Sequence, residues 1–316
     1  MRHAFTPFLG SIALGIAALG VNAANSQTYE TPVIPPSIEL VTIKVDGHQR
    51  DFYVHKPNEV RGRRSVIIAL HGGRGSADRF MDDVSLIDHS REMGFIAVFP
   101  DSFDGNWNDG RAGFEDKPND VKFMRSIINW LVRHDGVDRS RVFMTGHSNG
   151  GVMTHKIACD APELIAAAAP MAANLSEELH SDCSPSEATP VVMFNGTEDP
   201  LMLYEGGQPD IPGEGSAGTM MSSEGTAKFW AGIAGCWRPN APRVTDLRDR
   251  VGDGTTVSIL EHRCSDDQVT LYRVEGGGHG IPGGEPAGHR ESMIGTTSQE
   301  IDAFEEAIDF FSDYGL

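Results

Sequence analysis

Along this chain, short apolar runs with strand character alternate with longer stretches in which apolar residues recur at helical spacing. Residues 38–45 and 49–54 flank Asp46-Gly47, a strong hairpin signal, so the ordered part is expected to open with two antiparallel strands. Residues 65–70 are continuously apolar after Ser65, as a strand buried on both faces requires, and 95–99 form a second such run ended by Pro100. Between 120 and 134, Val121, Met124, Ile127, Ile128 and Leu131 fall at helical spacing. A short β-forming run follows at 141–145, then a helical stretch at 151–158 with Val152 and Ile157 facing inward. Further strands are expected at 190–194 and 270–274, and an amphipathic closing helix at 299–311. Alternation of buried strands with helices predicts an α/β fold: a mostly parallel sheet covered by helices on both faces, with an antiparallel hairpin at its N-terminal side. The Gly- and Pro-rich stretch 205–218 reads as a long loop of the kind that forms lids or binding loops. Neither an internal repeat nor a Ser/Thr/Pro-rich linker to another module is visible.

Gly146-His147-Ser148-Asn149-Gly150, between the strand at 141–145 and the helix at 151–158, matches the G-x-S-x-G nucleophile elbow. Such a turn lifts a serine Oγ clear of the sheet, and the following helix aims free N–H groups at a developing oxyanion. A serine hydroxyl needs a histidine to take its proton and a carboxylate to orient that histidine. Asp199 follows the strand at 190–194 through Asn195-Gly196-Thr197-Glu198, and His279 follows the strand at 270–274 through Glu275-Gly276-Gly277-Gly278, which gives the chain order Ser, Asp, His. The competitors are weaker: Glu198 adjoins Asp199, Asp182 and Asp210 lie away from strand ends, His262 lacks a glycine loop, and His289 sits in a polar turn. Two backbone donors for an oxyanion hole are expected from Asn149, directly after the serine, and from Gly73 in Leu70-His71-Gly72-Gly73-Arg74-Gly75. Gly72 to Gly75 matches no phosphate-cradling pattern. Residues 104–110 with Glu115 approach a calcium loop, but the glycine falls one position late and no helix pair flanks it. Trp107 in that polar loop is instead expected to be exposed and to contact substrate through its ring. No metal or cofactor is implied.

The chain has 316 residues, 39% hydrophobic and 22% charged, enough for a well-buried core. A basic start, an apolar run at 8–20 and the small-residue pattern ending at Ala23 predict a signal peptide over 1–23, then an extended leader at 24–37 and a single catalytic domain at 38–316. The apolar run is short for a membrane span, and no later segment is apolar enough for one. Export to a periplasm or to the medium follows, so Cys159, Cys183, Cys236 and Cys264 are expected as two disulfides. Three connectivities are open, and pairing of nearest neighbours closes the shortest loops. A formal net charge of −19 disfavours nucleic acid as a partner.

Taken with these residues, the chain resembles the secreted esterases of the polyhydroxybutyrate depolymerase and feruloyl esterase family, close to carbohydrate esterase family one. Residues 70–73, 137–142 leading into 146–151, 195–200 and 276–279 carry the likeness, which runs from about Ile38 to the C-terminus. The resemblance implies an α/β-hydrolase fold, with Ser148 as nucleophile, Asp199 as orienting acid and His279 as base. It also supports pairing Cys159 with Cys183 and Cys236 with Cys264. Many relatives continue after the histidine with Thr-Trp-Pro-Gly, where this chain has Gly280-Ile281-Pro282-Gly283, so an aromatic platform beside the base is missing. The expected activity is hydrolysis of small or oligomeric carboxylic esters, first 3-hydroxyalkanoate oligomers, alternatively feruloyl or acetyl-xylan esters. A non-catalytic ligand-binding protein on the same fold is the competing expectation.

Overall fold

A computed structural model describes residues 37–58, 63–111, 113–114, 116–208, 218–265 and 268–316. The signal segment, nearly all of the leader, Glu115, and residues 209–217 of the expected loop, Asp210 among them, lie outside the described residues. Ten strands are described: β1 (Ile38–Val45), β2 (His48–His55), β3 (Arg64–Leu70), β4 (Ile96–Pro100), β5 (Val137–His147), β6 (Ala167–Met171), β7 (Val191–Gly196), β8 (Arg243–Asp246), β9 (Thr256–His262) and β10 (Val269–Glu275). Eight α-helices connect them: α1 (Ala77–Asp83), α2 (Leu86–Met93), α3 (Asp120–Asp135), α4 (Asn149–Asp160), α5 (Glu177–Asp182), α6 (Ser223–Ile233), α7 (Glu291–Ile294) and α8 (Ala303–Asp313).

The strands form one sheet in the order β1-β2-β4-β3-β5-β6-β7-β10-β9-β8. Its six central strands, β4 to β10 in that order, run parallel, while β1, β2, β9 and β8 pair antiparallel at the flanks. Asp46 and Gly47 both have positive φ, 48° and 90°, and Val45 pairs with His48, so the opening hairpin closes in a two-residue turn of the twist-compatible kind. Side chains of β3 show why the apolar run is continuous. Val66, Ile68 and Leu70 pack with α3, α4 and α6 on one face, whereas Ile67 and Ala69 pack with α1, α2 and α8 on the other.

Helix α3 matches its expected span, with the Asn119 side chain accepting from Lys122 N at the start and Gly136 in the left-handed region at the end. The closing helix begins at Ala303, four residues later than periodicity indicates, because the Asp302 carboxylate accepts from Phe304 N and Glu305 N and sets the start there. Strand β5 is longer than its apolar run, since pairing with β3 extends to Val137. Strand β6, Ala-Ala-Ala-Pro-Met, carries no β-branched residue and holds a proline, so its sequence gives no strand signal. Its position between β5 and β7, with all five residues buried, overrides propensity.

Candidate active site

Three neighbouring parts of the sheet deliver the expected triad to one edge. Ser148 directly follows β5, Asp199 lies three residues past β7, and His279 lies four past β10. Ser148 has φ 54° and ψ −121°, a conformation that costs an ordinary residue on the order of 1–3 kcal/mol. The turn is held by Ser148 N donating to Met171 O (2.9 Å) at the end of β6 and by Val152 N donating to Ser148 O (2.9 Å). Gly150 is required by proximity: a Cβ there would stand 2.5 Å from the carbonyl oxygens of Leu70 and His71.

His279 Nε2 lies 2.8 Å from Ser148 Oγ, and its Nδ1 lies 2.7 Å from Asp199 Oδ2. Asp199 is 4% exposed, and its other oxygen accepts from Leu201 N and Met202 N at 2.8 Å each. The carboxylate is thereby fixed against rotation, and Nδ1 of His279 carries the proton that it donates to Asp199. The histidine's own backbone is clamped as well, with its N donating to Ile294 O (2.6 Å) and its carbonyl accepting from His147 Nε2 (2.7 Å). The glycine loop before it passes so close to Ile294 and Gly295 that a Cβ on Gly278 would collide with their backbone.

His147, the variable residue inside the elbow motif, is a functional position that its sequence context does not reveal. Burial, followed by the positive charge that His279 can carry, lowers its pKa to about 4. At neutral pH it is uncharged, so it supports the His279 backbone without opposing an imidazolium on that ring.

Gly73 and Asn149 both border the cleft at Ser148, which has a volume of about 190 Å³ and an apolar side formed by Leu201 and Met202. Asn149 opens α4, where the first N–H groups have no helical carbonyl to bond. Its side chain ties the elbow to the loop after β4: Oδ1 accepts from Trp107 N (2.8 Å), and Nδ2 donates to Asp109 Oδ2 (2.5 Å) and Trp107 O (3.3 Å). Asp109 is fully buried and paired with Arg111, whose Nη2 lies 2.7 Å from Oδ2. On the opposite side Asn106 Oδ1 accepts from Arg74 N (3.3 Å). His71 Nδ1 donates to Gly72 O (2.7 Å) while its Nε2 accepts from Ser102 N (3.2 Å), which fixes the tautomer and the course of the glycine loop.

Trp107 corrects one expectation. It is fully buried, stacks at a tilt on His71 with centroids 5.0 Å apart, and donates Nε1–H to His71 O (2.9 Å). The loop 101–111 folds inward because Asp120 Oδ2 accepts from Asn108 N (2.7 Å) and Asn149 takes both backbone groups of Trp107. Trp107 is therefore a pillar beneath the glycine loop, not an exposed surface for substrate. The weaker acid and base candidates also separate from the cleft: Glu198, Asp182 and His289 are exposed, and His262 lies on β9.

The sulfurs join as Cys159–Cys183 and Cys236–Cys264.

A profile of the prolyl oligopeptidase family matches residues 89–206, a span that includes the elbow and Asp199. The solved acetyl xylan esterase from Aspergillus awamori superposes with a TM-score of 0.61 at 18% identity, over 88% of this chain and 99% of that one. The chain has the α/β-hydrolase fold. The chain is 29% identical over 223 residues to feruloyl esterase B of Piromyces equi, a match that covers 68% of this chain and 39% of the Piromyces protein. It therefore spans about two-fifths of that relative's length. It is also 27% identical over 204 residues to acetylxylan esterase A of Emericella nidulans, covering 58% of this chain and 67% of that one. Both of these relatives are esterases, one named for feruloyl and the other for acetylxylan esters.

Proposed function

We propose that the chain is a serine esterase whose single catalytic domain, 38–316, cleaves short-chain esters through an acyl-enzyme. The observation that carries this reading is the continuous relay Ser148 Oγ, His279, Asp199, with separations of 2.8 and 2.7 Å. Ser148 Oγ attacks the ester carbonyl as His279 Nε2 takes its proton. The oxyanion accepts hydrogen bonds from the backbone N–H groups of Gly73 and Asn149, and the imidazolium is held by Asp199. His279 then protonates the departing alcohol, the acyl group stays on Oγ, and water deprotonated by the same ring releases the acid.

Substrate class follows from size and kinship. A cleft of about 190 Å³ is smaller than the roughly 300–1,000 Å³ typical of sites for drug-sized ligands, and it favours an acetyl or similarly short acyl group over a feruloyl group. The relatives above are named a feruloyl esterase and an acetylxylan esterase, and we place this chain on acetylated carbohydrate. A 3-hydroxybutyryl unit is also short enough for the cleft, so 3-hydroxyalkanoate oligomers are the second reading. Secretion or periplasmic residence fits two disulfides among the described residues.

The test is initial-rate hydrolysis of p-nitrophenyl acetate, acetylated xylo-oligosaccharide, methyl ferulate and a 3-hydroxybutyrate trimer by wild type and Ser148→Ala. Turnover of acetyl esters, with loss of at least about 10³-fold in the variant, is expected. Preference for methyl ferulate or the trimer would move the substrate assignment, and equal rates in both proteins would remove Ser148 from the mechanism.

A further inference from the structure

Far from the cleft, the outer strands of the sheet form two adjoining hollows of about 620 and 350 Å³ that share Arg243, Glu261, Gln268 and Thr270. They lie along β8, β9 and the start of β10, with α8 as one wall. From Gln268 to the end of β10 is seven residues, about 23 Å at strand rise, so the hollows are at the opposite end of that strand from the His279 loop.

Three features make this a built surface. Trp237 borders the smaller hollow and is 81% exposed, the most exposed of the large apolar side chains. Its backbone is anchored: it follows Cys236, which is bonded to Cys264, and its main-chain N–H donates to Arg263 O (3.1 Å). Both faces of the indole are open for a ligand to stack on. The second feature is His262, which lines the same hollow at 5% exposure with Nδ1 buried and unpartnered. Third, the floor carries amide, hydroxyl, guanidinium and carboxylate groups together, with Arg243 and Glu261 3.7 Å apart.

This chemistry selects the ligand class. An exposed indole stacks on the apolar face of a pyranose ring, and neighbouring carboxylate, guanidinium and amide groups bond vicinal hydroxyls. Asp309 and Asp313 from α8, added to Glu261, outnumber Arg243 in the larger hollow and repel an anionic chain. We infer that the hollows along β8–β10 bind a neutral oligosaccharide, with Trp237 as stacking platform and Arg243, Glu261 and Gln268 as polar contacts. The site acts apart from the triad and does not depend on the esterase reading: it would hold a remote stretch of a glycan chain.

The test uses full-length Ser148→Ala protein, titrated by calorimetry with xylohexaose, cellohexaose and, as an anionic control, an oligogalacturonate. Saturable binding of at least one neutral hexaose is expected, at least ten-fold weaker in Trp237→Ala and weaker in Glu261→Gln, with the oligogalacturonate inert. Trp237 is exposed, so its variant should fold and keep wild-type p-nitrophenyl acetate hydrolysis when Ser148 is present. Absence of binding by both neutral hexaoses, or equal binding with and without the indole, would overturn the inference. Loss of esterase activity reads on the triad alone.

Discussion

Trp107 shows how one side chain couples the two halves of a reaction site. Its indole N–H holds the His71 carbonyl, and its backbone is held by the Asn149 amide, so the glycine loop and the elbow share one buried support. Trp107→Phe retains most of the ring volume but removes the Nε1–H and leaves the carbonyl of His71 unpaired, at a cost of about 1–3 kcal/mol. The variant is expected to unfold at lower urea and to lose kcat on p-nitrophenyl acetate roughly ten-fold, with KM and the ranking among esters nearly unchanged. A raised KM with altered ester ranking would instead restore Trp107 as a substrate contact. The sequence signalled an aromatic in a polar loop but not the direction in which it points. That direction depends on Asn149, 42 positions away, and on Asp120. Ser148, Asp199 and His279 were legible because each is tied to a local pattern: two glycines around a serine, and two apolar runs emptying into turns. His147 was not, because its role lies in a bond to a carbonyl 132 positions away.

The unit formed by β5, the elbow and α4 carries one buried and one half-buried histidine, and its stability is tied to their charge. His155 in α4 is 1% exposed, accepts the Trp230 Nε1–H on Nδ1 (3.0 Å) and stacks on that indole. Burial lowers its pKa to about 4, as it does that of His147. In the unfolded chain both titrate near 6.5, so between about 6.5 and 4 the unfolded state binds more protons than the native one. Stability therefore falls as pH drops through that window, by on the order of 3 kcal/mol for His155 at its lower end. Urea unfolding followed from pH 7 to pH 5, above the carboxylate range, should show a steadily decreasing midpoint; a flat midpoint would mean that these rings are not held neutral. At this scale the strongly periodic elements, β3, β4 and α3, were readable from pattern alone. Strand β6 was not, since alanines fit there only because α4 and α8 pack against both of its faces. Strand β8 also escaped notice, as it is exposed and has no buried face to impose a period.

Across the whole molecule, the division of labour follows the sheet. Its parallel centre presents Ser148, Asp199 and His279 at one edge, where the relay closes through two hydrogen bonds. The antiparallel flank β10-β9-β8 ends in an uncovered polar surface bordered by an exposed indole. The acidic balance, −19 over 316 residues, suits neutral substrates at both places. Fold class was readable because every buried central strand repeats the same apolar signal, while the outer groove was not, because single polar residues on separate strands acquire meaning only when paired side by side. The most direct test of the relay is covalent. The protein is incubated with a fluorophosphonate, followed by intact mass and peptide mapping, alongside Ser148→Ala and His279→Ala. The relay predicts one adduct per chain on Ser148, none in Ser148→Ala, and labelling slowed at least 100-fold in His279→Ala. An adduct that persists in Ser148→Ala, or a wild-type protein that stays unlabelled, would contradict it.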